Sequence, residues 1–223
     1  TTICLGDSLV FNVDTNELIS ATAISNGVFT PIASGIYPIL ATTFDTISSS
    51  LITSTYSVDS LGAFAYIDIS SVDNAVLLYD DDYTDYLPIG FNFEYWGETV
   101  DSFIIVSNGW ITFDENTNSD FGIGLPVGYE DFDNSIFMID VDLNPEEYGE
   151  ISYATLGSAP NRIFVVEFDS VSFYGSNSLY YSAQLQLFEG TNRIEIHTES
   201  ADNNANNENT SQGLQSPDQD VAV

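Results

Sequence analysis

The side chains in this sequence best suited to chemistry are oxygen ligands for a hard divalent cation. Asp80, Asp81, Asp82 and Asp85 stand in one short run. Asp140, Asp142 and Asn144 occupy every second position of another, with Glu146 and Glu147 behind them, and Asp131 with Asp133 makes a third group. Calcium takes about 6–8 oxygens from carboxylates, amides and carbonyls, so Ca2+ is the expected cofactor. The stretch DVDLNP from Asp140 to Pro145 resembles the opening of an EF-hand loop. Pro145 stands where that loop needs glycine and Ile151 where it needs a bidentate glutamate, so it is not an EF-hand. A solvated acidic loop that keeps the surface soluble is the competing reading of each cluster. Zinc is not expected without Cys/His spacing.

Nucleophilic catalysis needs Ser or Cys beside a His base held by a third group. His197 is the only His and Cys4 the only Cys, and no G-x-S-x-G elbow is present. No enzyme activity is expected, and His197 is expected to cap its strand or face solvent. Tyr95, Trp96 and Trp110 have the chemistry to stack on a sugar ring, although alternating aromatics more often line a sandwich interior. Arg162 and Arg193 each follow an Asn at a strand start. Both are expected to neutralise neighbouring carboxylates, with bidentate geometry available to them.

These two arginines are the only cations in a chain with 34 Asp and Glu, which leaves a formal net charge of −32. Such a surface needs screening, bound cations or a salt-rich setting. Nucleic acid is excluded as a partner because phosphate contacts need Lys and Arg. Anionic membrane surfaces are disfavoured for the same reason. No apolar run approaches the roughly 20 residues that span a bilayer, so membrane insertion is not expected. One cysteine allows no internal disulfide, and Thr1 without Met suggests a removed signal peptide or a fragment.

The elements that must position these residues read as strands throughout. Residues 87–113, LPIGFNFEYWGETVDSFIIVSNGWITF, form the centre. Ile89, Phe91, Phe93 and Tyr95 alternate with Gly90, Asn92 and Glu94, the period of a strand with one buried face. Turns are expected at Trp96-Gly97-Glu98 and at Ser107-Asn108-Gly109, where Asn-Gly tolerates positive φ. Further strands are expected over 61–69, 75–79, 135–141, 150–154, 162–173, 179–188 and 193–198, with closing strands at 213–214 and 221–223. Upstream, residues 8–13, 18–24, 28–32, 35–40 and 50–56 carry short strand patterns. No amphipathic helix is evident, so the fold class is all-β. The expected organisation is an N-terminal β segment over 1–55 and an antiparallel β-sandwich over 56–223.

The central stretch resembles the recurring strand pair of nidogen-like extracellular β-sandwich domains. FMIDVDLNPEEYGEISYATLGSAPNRIFVVEF, SAQLQLFEGTNRIEIHT and TSQGLQSPDQDVAV resemble later sections of those domains in Bacteroidetes surface proteins, in order and spacing. Met138-Ile139-Asp140 departs from them, standing where an aromatic–Asp pair is usual. ICLGDSLVF resembles the start of Ig-like modules, so the N-terminal segment is expected to be Ig-like or to donate a strand. The resemblance implies an antiparallel, nidogen-like or jelly-roll-like sandwich in a secreted or cell-surface protein exported by the type IX system. The expected function is structural or adhesive: a subunit of a surface appendage, filament or layer, or a module of a large adhesin. The alternative is a Ca2+-dependent carbohydrate-binding module. Expected partners are further copies or a neighbouring surface protein, met through β-strand edges, and glycans in the alternative. The extreme acidity points to a marine or halophilic bacterium.

Overall fold

The computed structural model describes residues 20–21, 39–40, 56, 65–176, 178–202, 210–217 and 222. The chain divides into two compact units, Thr1–Ser54 and Thr55–Val223. In the first, β1 (Ser20–Ala21) pairs antiparallel with β2 (Ile39–Leu40). The strands expected over 8–13 and 28–32, Cys4, and the closing strand over 221–223 lie outside the described residues, apart from Ala222.

The second unit is an antiparallel β-sandwich. Its strands are β3 (Asn74–Val76), β4 (Leu87–Tyr95), β5 (Glu98–Val106), β6 (Trp110–Thr112), β7 (Ser135–Phe137), β8 (Leu143–Asn144), β9 (Glu150–Leu156), β10 (Ile163–Phe173), β11 (Tyr180–Phe188), β12 (Arg193–Ala201) and β13 (Gly213–Leu214). One sheet runs β12-β11-β10-β9-β3 with β8 on β10, and the other runs β13-β7-β6-β5-β4. The described residues contain no α-helix, only a 3-10 turn at Glu130–Phe132. None of their helices is long and apolar enough to cross a membrane.

The period-2 pattern sets the faces. In β4, Ile89, Phe91, Phe93 and Tyr95 are buried while Gly90, Asn92 and Glu94 are exposed. Trp96 and Gly97 both take positive φ and close the β4–β5 hairpin tightly. The sheets meet through Phe93, Phe103, Ile105, Phe164, Phe168 and Leu185, with the Phe103 and Phe164 rings 4.5 Å apart. A smaller core lies on the outer face of the five-stranded sheet. There Trp110 and Phe137 pack with Val127 and Phe132 of the 114–134 loop. Buried Gln215 holds this loop, accepting the Val127 N–H at 2.9 Å.

Three expected strands change character. Of 61–69, the described Ala65–Ile69 joins no ladder. Gln184 and Gln186 point away from the core between Ala183, Leu185 and Leu187, and their amides take the place of a partner strand. Gln184 accepts from Ile67 N–H at 2.9 Å and donates to Ile67 C=O at 2.8 Å, while Gln186 donates to Ala65 C=O at 2.9 Å. Ile69 packs beside on Ala154 and Val165. Ladder pairing also stops at Val76 in the expected 75–79 strand and at Phe137 in 135–141. Beyond Phe137 the chain turns so that Met138 and Ile139 donate to the Gly109 carbonyl, both at 3.0 Å.

His197 is a correction of the same kind. It is buried rather than solvent-facing, because its ring anchors the Ala65 segment. Nδ1 accepts the Ala65 N–H at 3.3 Å, which puts the proton on Nε2, 2.9 Å from Glu195. The two arginines do neutralise carboxylates. Arg162 grips Glu189 in a bidentate pair and also donates to the Gly90 carbonyl of the opposite sheet. These bonds hold the Glu189 carboxyl down at about 2. Arg193 pairs with Glu195 at 3.0 Å and lies over the Phe188 ring.

Candidate metal centre

The Ser107-Asn108-Gly109 turn is not a surface hairpin tip. Ser107 and Asn108 are fully buried at the end of β5, and segment 82–84 runs alongside. Ser107 N–H donates to Asp82 C=O at 2.9 Å and Asp82 N–H to Ser107 Oγ at 3.0 Å. Tyr83 bridges Val106, and Thr84 exchanges bonds with Ile105. Asn108 uses its whole side chain. Oδ1 accepts the Leu143 N–H at 2.8 Å, and Nδ2 donates to Asp81 Oδ1 at 2.9 Å and to Ser119 C=O. One amide therefore connects the 80–82 turn with the strand that follows Asp142.

The result is that Asp80, Asp81 and Asp142 come together, with one carboxylate oxygen from each within 4.8 Å of the others. Asp80 Oδ1 is buried and meets no hydrogen-bond donor among the described residues. Burial pushes the Asp80 carboxyl up, reinforced by the charges of Asp81, Glu147 and Glu146. Two expected clusters, far apart in the chain, thus supply one site between them. Three carboxylates offering one or two oxygens each would provide roughly half of a calcium shell, with carbonyls and water for the rest.

The other expected ligands are placed elsewhere. Asp82 closes its own turn, accepting Tyr79 N–H at 3.2 Å and Tyr83 N–H at 2.9 Å. Asp85 is exposed outside the group. Buried Asp140 accepts N–H bonds from Gly122, Ile123 and Gly124 at 2.7, 2.9 and 2.9 Å, which makes it the anchor of the 114–134 loop. Asn144 Oδ1 accepts the Glu146 N–H at 3.0 Å. Asp131 accepts from Asn116 and Asn118.

Of the aromatics read as a stacking platform, Tyr95 and Trp110 lie fully in the core. Trp96 packs edge-on against Tyr56 at 5.0 Å. A different set lies within the acidic run itself. Tyr79, Tyr83 and Tyr86 are 53%, 46% and 45% exposed. Sequence reasoning passed over these tyrosines, and it read Asn108 only as a turn residue. Their signal was three tyrosines within the acidic run YDDDYTDY from Tyr79 to Tyr86.

Comparison with protein families matches residues 55–223 to the family described as NIDO related. Comparison with curated proteins and with solved structures finds no match.

Proposed function

The chain belongs to the nidogen-related family, and on that premise we propose that it is an extracellular structural or adhesive module closed by calcium. It acts without catalysis, as a subunit of a surface appendage, filament or layer or as part of a larger adhesin. Its setting is the surface of a salt-adapted bacterium, and its partners are further copies or neighbouring surface proteins met at strand edges. The observation that carries this reading is the convergence of Asp80, Asp81 and Asp142 in a chain of net charge −32. A bound Ca2+ would discharge the cluster and tie the approach to β4 to the segment before β8. Tyr79, Tyr83 and Tyr86, exposed within the same acidic run, favour a second reading, Ca2+-dependent binding of a neutral glycan through ring stacking.

Calorimetric titration of Ca2+ into EDTA-stripped protein tests the metal. One saturable site is expected, with a dissociation constant on the order of 10⁻⁴ M as in extracellular calcium modules. Asp142→Asn should abolish it. Calcium at about 100 times that constant would add about 2.7 kcal/mol of stability, a rise in Tm of roughly 5–10 °C for a unit of this size. NaCl at equal ionic strength should give less, since it only screens. Melts that follow ionic strength alone, with no saturable heat, would remove calcium from the proposal.

A further inference from the structure

We propose that the edge of β3 receives an extended, uncharged strand from the N-terminal unit of another copy of this chain. This rests on the self-assembly reading above and adds which edge and which segment meet.

The charge is divided unevenly between the two units. Thr1–Ser54 holds four of the 34 carboxylates, Asp7, Asp14, Glu17 and Asp45, and no cation. Thr55–Val223 holds the other 30 with both arginines, a net −28. Two such units repel each other at every approach. The first unit, at net −4, is the surface that can meet a −28 unit with the smaller penalty. Within it, residues 8–13 (SLVFNV) lie uncharged between Asp7 and Asp14, with Leu9, Phe11 and Val13 at alternate positions.

The edges of the second unit are not equivalent. β4 is closed by side chains reaching over from elsewhere. Thr155 Oγ1 donates to Ile89 C=O at 2.6 Å and Arg162 to Gly90 C=O. Asn192 Oδ1 accepts the Glu94 N–H at 3.1 Å, and Tyr56 OH donates to Glu94 C=O at 3.4 Å. Backbone groups engaged in this way are not open to a new strand. β12 carries Arg193, Glu195 and Glu199, the charges that keep an edge from pairing.

Among the described residues, β3 has no such protection. It ends the six-stranded sheet, and residues 74–79 (NAVLLY) contain no charge, Pro or Gly between Asp73 and Asp80. A six-residue, strand-forming, uncharged window on an edge is a template for pairing. Pairing with β9 stops at Val76, and Leu77 beyond it is 79% exposed. Where β3 parts from β9 a groove of about 330 Å³ opens, lined by Val76, Leu78, Pro145, Glu150 and Ile151. An incoming strand would extend the ladder along the other side of β3, the usual mode of strand addition. The carboxylate group at Asp80 follows directly, so a cation there would also fix the far end of the docking edge.

The test uses the full chain with Cys4→Ser, Val10→Cys and Leu77→Cys, oxidised and run on a non-reducing gel. A reducible ladder of dimers and larger species that needs both cysteines is expected. An internally crosslinked monomer, or no crosslink while the unmodified chain assembles, would overturn the proposal. In parallel, Leu77→Glu should weaken assembly about ten-fold or more by light scattering while its melt stays that of the wild type. A Leu77→Glu chain that assembles normally would refute the edge and leave the assembly reading standing. A wild type that is monomeric under all conditions would refute the assembly reading itself.

Discussion

Asn108→Asp is expected to cost the second unit about 3–5 kcal/mol in EDTA and to regain part of that loss in calcium. The substitution keeps the shape of the side chain and the acceptor to Leu143 N–H. It replaces the amide donor to Asp81 Oδ1 and Ser119 C=O with a second acceptor, so two hydrogen bonds become oxygen–oxygen repulsions. It also adds a carboxylate beside Asp80, Asp81 and Asp142. Asn108→Ala should cost less, about 2–4 kcal/mol, because it leaves Leu143 N–H and Ser119 C=O unpaired but brings no new charge. Both variants keep the three carboxylates and should gain from calcium, but only the Asp variant should gain more than the wild type does. Denaturant titrations of both, with calcium and with EDTA, separate these effects. Equal responses of the two variants to calcium would mean that Asn108 does not border a cation site.

Gly109→Ala should be nearly as damaging, and calcium should not narrow its gap to the wild type. Gly109 sits at φ +90°, where a β-carbon is strained. That carbon would lie 2.3 Å from Ile139 Cγ2 and 3.0 Å from the Ile139 carbonyl oxygen, inside a close-packed region. Moving Ile139 away would also break the bonds that Met138 and Ile139 donate to the Gly109 carbonyl. Strain and overpacking together amount to about 3–5 kcal/mol, much of the stability of an ordinary domain. Urea unfolding should show it as a lower midpoint with an unchanged slope. A loss under about 1 kcal/mol would show that the turn tolerates a β-carbon and that its buried geometry is not required.

The sandwich was legible wherever apolar residues alternated and turn chemistry was local. Ile89, Phe91, Phe93 and Tyr95 declare their face without reference to any other strand, and Asn108-Gly109 announces a turn. The Ala65–Ile69 segment was misread because its alternation is that of a strand while its partners are the side-chain amides of Gln184 and Gln186, remote in sequence. The candidate site was half legible. Asp80, Asp81 and Asp142 were named as ligands, but in separate clusters, since only the buried turn at Asn108 joins them. Asp140 and Asp142 would share a side in a regular strand, yet the chain bends at Val141 between them. Asp140 consequently serves the 114–134 loop while Asp142 faces the site. Asp82 was drawn into its own turn, as Asp commonly is at such positions.

The most direct test of a calcium-closed, self-assembling surface module is size-exclusion light scattering with negative-stain microscopy, in millimolar Ca2+ and then in EDTA. Filaments, layers or large oligomers in calcium that dissociate in EDTA are the expected result. A monodisperse monomer in both conditions would contradict it.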